Sequence, residues 1–139
     1  PLSGTVLISA NDEDKPEVAE VARQFHEAGF RILATGRTCD LINEAGIPAE
    51  KIKKLYQGRP NVLDAIKNGD VQIVLNTPIG KEGSHDDSYI RKAAIKARIP
   101  YMTTMAAAAA SISGIRTVQK EGQIGVKSLQ QIHSEIEDA

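Results

Sequence analysis

Short continuous apolar runs alternate along the chain with stretches in which apolar residues recur every three or four positions. Thr5-Val6-Leu7-Ile8 is the first run, as expected of a strand buried on both faces. After a polar turn, Asp14 is a candidate cap, and Pro16 suits the start of a helix. That helix carries Val18, Val21, Ala22 and Phe25 on one face and stops at Gly29. The second run, Ile32-Leu33-Ala34, breaks into Thr35-Gly36-Arg37-Thr38, and a second helix with Leu41, Ile42 and Ala45 runs to Gly46. Lys51 to Leu55 predicts a short third strand, and Gly58-Arg59-Pro60 is turn chemistry. Asn61 then caps a helix with Val62, Ala65 and Ile66 on its apolar face, closed by Gly69. The clearest strand, Val71 to Leu75, finishes in Asn76-Thr77-Pro78 and a glycine-rich loop.

Asp86 or Asp87 is expected to cap the next helix, which buries Ile90, Ala93, Ala94 and Ala97. Ile99 to Met102 is a brief fifth strand, placed at an edge by Pro100. Met105, five alanines and Ile112 form a small-residue helix ending at Gly114, able to approach a sheet or a partner closely. Residues 115–126 have room for another short strand, and Ser128 caps a last helix with Leu129, Ile132, His133 and Ile136 on one face. Strand and helix thus alternate throughout with short turns. This predicts one α/β domain over residues 1–139: three layers, α/β/α, around a doubly wound, mostly parallel, five-stranded Rossmann-like sheet.

Composition narrows the function. The formal charge of −1 leaves no basic footprint for nucleic acid and no polybasic membrane patch. The single cysteine, Cys39, rules out an internal disulfide framework, and His26, His85 and His133 lack metal-ligand spacing with it. No metal or cofactor is therefore expected, and a reducing, cytoplasmic setting is. Pro1 in place of a methionine gives the expectation of a domain excised from a longer chain.

In an open parallel sheet, ligands bind beyond the carboxyl ends of the strands. Those ends carry Ser9 with Lys15, Thr35 with Thr38, Lys54, Asn76 with Thr77, and Thr103 with Thr104. Lysines supply charge, while hydroxyls and amides supply orientation, a set suited to a phosphorylated ligand. The turn from Thr35 to Thr38 places backbone N–H groups and a guanidinium at a helix start, an anion-binding arrangement. A plainer reading makes Thr38 an N-cap and Thr35 a strand-end residue. On a strand, Lys54 alternates away from Lys53 and turns toward the rim. Cys39 is either a thiol acidified by the helix start or a partly buried small residue. His85 is a loop histidine within reach of the rim or simply solvated. No carboxylate closes a strand directly, and no Ser–His or Cys–His pair suggests itself, so the residues favour binding over catalysis.

In this order and spacing the motifs resemble the methylglyoxal synthase-like domains. More specifically, they resemble the C-terminal allosteric domain of the carbamoyl-phosphate synthetase large subunit. The resemblance is carried by Leu7-Ile8-Ser9 with Lys15, by Gly29-Phe30 with Ala34-Thr35 and Thr38, and by Lys54 with Gly58-Arg59-Pro60. It continues through Ile66 and Gly69, Asn76-Thr77, Ile90-Arg91, Tyr101 with Thr103-Thr104, and Ser128-Leu129-Gln130. It implies a non-catalytic regulatory domain of an ATP- and divalent-metal-dependent ligase that makes carbamoyl phosphate for the pyrimidine and arginine pathways. The partners implied are nucleotide monophosphates (uridine monophosphate inhibiting, inosine monophosphate activating), the synthetase body of the same chain and a glutaminase small subunit. Oligomerisation is left open. The family's phosphate and ribose contacts fall on Ser9, Lys15, Thr35, Thr38, Lys54 and Asn76, with Thr77 beside them. Its base pocket falls on Leu55, Val62 and Ile90, and an ornithine contact on Tyr101 and Thr103. Two departures touch the rim: Pro78 stands where a threonine is expected, and Arg37 where a glycine is. The alternative is methylglyoxal synthase itself, acting on dihydroxyacetone phosphate. That enzyme carries a Gly-Gly-Asp segment where this chain has Gly58-Arg59-Pro60-Asn61, without a proton-abstracting carboxylate. The cyclohydrolase domain of purine synthesis shares the Thr-x-x-Thr turn and fits the remaining motifs less well.

Overall fold

A computed structural model describes residues 2–11, 14–77 and 85–138. Five strands, β1 (Thr5–Ser9), β2 (Arg31–Thr35), β3 (Glu50–Ile52), β4 (Ile73–Asn76) and β5 (Tyr101–Met102), form one sheet in the order β3-β2-β1-β4-β5. Every pairing is parallel. The expected architecture is therefore present, and the sheet is wholly rather than mostly parallel. The helices are α1 (Lys15–Glu27), α2 (Gly36–Glu44), α3 (Val62–Lys67), α4 (His85–Lys96) and α5 (Met105–Asp138).

Strand alternation sends side chains to two cores. Val6, Ile8, Ile32, Ala34, Ile73 and Leu75 meet Val18 and Phe25 of α1, Ile42 of α2, and Ala108 and Ile112 of α5. Phe25 and Phe30 pack edge to face there, with ring centroids 5.4 Å apart. On the other face Leu7, Leu33 and Val74 meet Val62 and Ile66 of α3 and Ile90 and Ala94 of α4. These two closed cores fix the layers: α1, α2 and α5 on one side, α3 and α4 on the other.

Several boundaries differ from the sequence expectations. Helix α5 passes through Gly114 without stopping, so neither a strand in 115–126 nor a new cap at Ser128 is found. A helical glycine costs only about 1 kcal/mol, and Gly114 faces open space. Ile112, packed in the core on one side of it, anchors the helix. The side chains of residues 123–138 and of His85 and Asp86, like Pro78, lie outside what the structure describes. Helix α4 starts at His85, so Asp86 and Asp87 sit in its first turn instead of capping it. Ala97 is exposed rather than buried, because the helix ends at Lys96. β3 is shorter than expected, and a single 3-10 turn, Leu55–Gln57, takes over after Lys54.

Candidate functional site

With strand order β3-β2-β1-β4-β5, successive connections leave β1 in opposite directions, and a crevice opens at its carboxyl end. Ser9 ends β1 and pairs in register with Asn76, which ends β4. Thr35 ends β2, and its Oγ1 lies 2.9 Å from Oγ of Ser9. Three strand ends therefore meet at one rim, as the sequence predicts.

Thr38 is not the cap of α2. Thr35 takes that position with extended backbone (φ −87°, ψ 143°) and makes no side-chain capping bond. Its hydroxyl is spent on Ser9, which leaves the N–H groups of the first turn of α2 open to an anion. No acidic residue occupies that turn. Thr38 instead faces the loop after β1: its Oγ1 accepts the N–H of Ala10 at 3.2 Å. Thr77 does the same from the other flank, accepting the N–H of Asn11 at 2.7 Å. The Asn11 side chain then accepts the N–H of Asp14 at 2.8 Å and leads the chain into α1. Asp14, at the cap position, makes no side-chain capping bond. Thr35, Thr38 and Thr77 are each 2% exposed, so they form the floor of the rim. The Thr77 hydroxyl keeps its own proton to donate, whereas that of Thr38 is directed at the Ala10 carbonyl at 3.5 Å.

Lys54 approaches the rim from the start of the turn after β3. Its Cε lies 4.0 Å from the position a Cβ would take on Gly36, the first residue of α2. The Lys54 stem therefore borders the start of the helix. The 3-10 turn fixes the backbone of Lys54, because the Gln57 side chain accepts its N–H at 2.8 Å. Gly36 has φ +36°, a conformation that suits glycine. Arg37 follows it, exposed on the same turn. Lys15 begins α1, and its side chain lies outside the described residues.

One rim residue was not expected. Asp87 comes over from α4, and its Oδ1 accepts from the Asn76 amide at 2.9 Å. A carboxylate does therefore reach a strand end. The eleven residues between them hide this from any local motif. Asn76 also donates to the Tyr101 hydroxyl at 3.0 Å. Burial pushes the Tyr101 phenol above its ordinary value, while the bond from Asn76 opposes the rise. Thr103 is exposed beyond the end of β5.

The expected base pocket is altered. Val62 and Ile90 are 1% and 6% exposed and belong to the core beneath the sheet, so only Leu55 presents surface. Cys39 is buried, and burial raises its thiol pKa despite nearby Lys51, which makes it a packing residue. His26 is exposed on α1, away from the rim. Two open concavities lie elsewhere. One, of about 580 Å³, sits at the amino end of β2 and β3, where Arg31 and Glu50 neutralise each other. The other, of about 400 Å³, lies between α3 and α4. Among the described residues no group of acids, histidines and cysteine is arranged to hold a metal ion. No helix among them is long and apolar enough to cross a membrane.

Comparison with known proteins agrees with this fold. The family model of the MGS-like domain matches residues 17–103. The chain is 43% identical over 136 residues, 98% of its length, to a carbamoyl phosphate synthase large chain of Methanothrix thermoacetophila. It is 41% identical over 134 residues to the C-terminal section of that large chain in Methanopyrus kandleri, covering 96% of its length. It spans only 13% and 24% of those two relatives. Among solved structures, methylglyoxal synthase of Elizabethkingia anophelis superposes with a TM-score of 0.66 over 81% of this chain and 79% of its own, at 20% identity.

Proposed function

The chain belongs to the MGS-like domain family, and from that premise we propose that it is the effector-binding domain of a carbamoyl phosphate synthase large chain. It binds a nucleoside monophosphate at the carboxyl ends of β1, β2 and β4, and the ligand biases the domain against the synthetase body. The observation that carries this reading is the approach of the Lys54 side chain to Gly36, at the start of α2, which has no side-chain cap. An ammonium, free helix N–H groups and proton-bearing hydroxyls there converge on the space a phosphate dianion fills.

The 5′-phosphate occupies the Lys54–Gly36 corner with Ser9 beside it, and the family resemblance adds Lys15 to its contacts. Uridine monophosphate acts as inhibitor and inosine monophosphate as activator, and Tyr101 with Thr103 contacts ornithine at the junction with the synthetase. Catalysis is left to the rest of the enzyme. The turn Gly58-Arg59-Pro60-Asn61 has no carboxylate to take a proton. The nearest acid in sequence, Asp64, is tied to Arg59 at 2.6 Å.

Titration calorimetry at low salt with uridine and inosine monophosphates tests the reading. Binding is expected, with Lys54→Ala at least tenfold weaker than the parent and His26→Ala unchanged. Equal affinities for the two variants would remove Lys54 from the site. Formation of methylglyoxal from dihydroxyacetone phosphate would assign the chain to the lyase instead.

A further inference from the structure

Asn76 is 2% exposed, and its amide nitrogen is bonded twice, to Oδ1 of Asp87 at 2.9 Å and to the Tyr101 hydroxyl at 3.0 Å. A primary amide has two protons, and both are spent. An ionised carboxylate only accepts, so Asp87 also decides which way the amide faces: nitrogen toward α4 and β5, carbonyl away from them. Among the described residues that carbonyl oxygen receives no hydrogen bond. Asn76 therefore has an acceptor, and no donor, to show a ligand.

We propose that Asp87 is a positioning residue that turns Asn76 into a hydroxyl-reading acceptor, so that the β4 side of the rim selects a ligand donor and rejects phosphate. The inference rests on the nucleotide reading above and orients the ligand within it. Phosphate oxygens only accept, and they meet donors at Lys54 and the start of α2. Asn76 stands two strands away from β2, about 10 Å across the sheet. A 5′-phosphate and its sugar, with a hydrogen bond at the far hydroxyl, reach across that distance, so the donor that meets Asn76 is a ribose hydroxyl.

The test uses the 139-residue chain, whose two cores close within the described residues, and three probes: uridine 5′-monophosphate, its 2′,3′-dideoxy analogue and inorganic phosphate. In the parent chain the dideoxy analogue should bind about tenfold more weakly than the ribonucleotide, the effect of leaving an acceptor unpaired. Asp87→Ala should abolish that discrimination while leaving inorganic phosphate affinity unchanged. Asp87→Asn, which retains an acceptor oxygen, should restore the discrimination. A ligand-free reading accompanies these: both side-chain amide protons of Asn76 should exchange slowly with solvent by NMR, and one should become fast in Asp87→Ala. Equal affinity of the parent for ribo and dideoxy forms would overturn this inference and leave the nucleotide reading standing. Fast exchange of both protons in the parent would overturn it too. Absence of heat with all three probes would remove the nucleotide reading and this inference with it.

Discussion

Gly36 shows how much one residue can carry. Its φ of +36° disfavours any side chain, yet the nearest atom to an added Cβ is Lys54 Cε at 4.0 Å, an ordinary contact. The penalty for Gly36→Ala is therefore conformational rather than steric, about 1–2 kcal/mol. Urea denaturation should show that loss as a lower midpoint with an unchanged slope. Binding should weaken as well, since the strained turn is the one proposed to receive the phosphate. The neighbouring threonines divide their work differently from what their spacing suggests. Thr35 and Thr38 are both chemically able to cap α2, and the sequence offers no way to choose. The choice falls on Thr35 because Thr38 is drawn to the Ala10 N–H, a contact made across 28 positions.

Among the elements, α3 is the most explicitly built. It has only six residues, too few to hold together without capping. Asn61 accepts from the N–H groups of Leu63 and Asp64, and Asp64 returns a bond to the Asn61 N–H at 2.8 Å. Arg59 clasps the same carboxylate from outside. The Arg59 bond, then the Asn61 N–H, hold the Asp64 pKa below its ordinary value against a smaller opposing effect of burial. A carboxyl whose folded pKa is depressed adds stability that is present above its unfolded value of 3.8 and lost as pH falls through the folded one. Denaturation midpoints should therefore drop from about pH 5 downward, and Asp64→Asn should flatten that part of the profile. The Asn61 half of this cap is legible in the sequence, because Asn61 stands directly before the apolar positions Val62, Ala65 and Ile66. β1, β2 and β4 are equally legible, since each is an apolar run bounded by polar turn residues, whereas β3 is mostly polar. What escapes is non-local. Gly114 looks like a stop, but its solvent face exacts too little to end α5. Val62 and Ile90 look ready to face a ligand, but the α3–α4 layer draws them inward. Asp87 looks like a cap until α4 delivers it to Asn76.

At the scale of the molecule, the strand order makes the rim a joint between halves of the sheet. β1 and β4 supply Ser9 and Asn76, while β2 and the turn after β3 supply Thr35 and Lys54. A phosphorylated ligand held there contacts segments from Ser9 to Asn76 at once, a set that exists only in the folded chain. It must then stabilise the fold by mass action, by about 2.7 kcal/mol at a concentration of 100 times Kd. Thermal unfolding of the chain with saturating uridine monophosphate should show the corresponding rise in Tm, and Lys54→Ala should lose most of it at the same concentration. Inorganic phosphate should give a smaller rise, because it engages the Lys54–Gly36 corner without reaching Asn76. In a full-length large chain the same linkage runs both ways. If the effector alters substrate affinity by some factor, saturating substrate must alter effector affinity by that same factor, typically about 1–3 kcal/mol of coupling. Measuring effector affinity with and without the substrates of the synthetase therefore checks the regulatory reading independently of any rate.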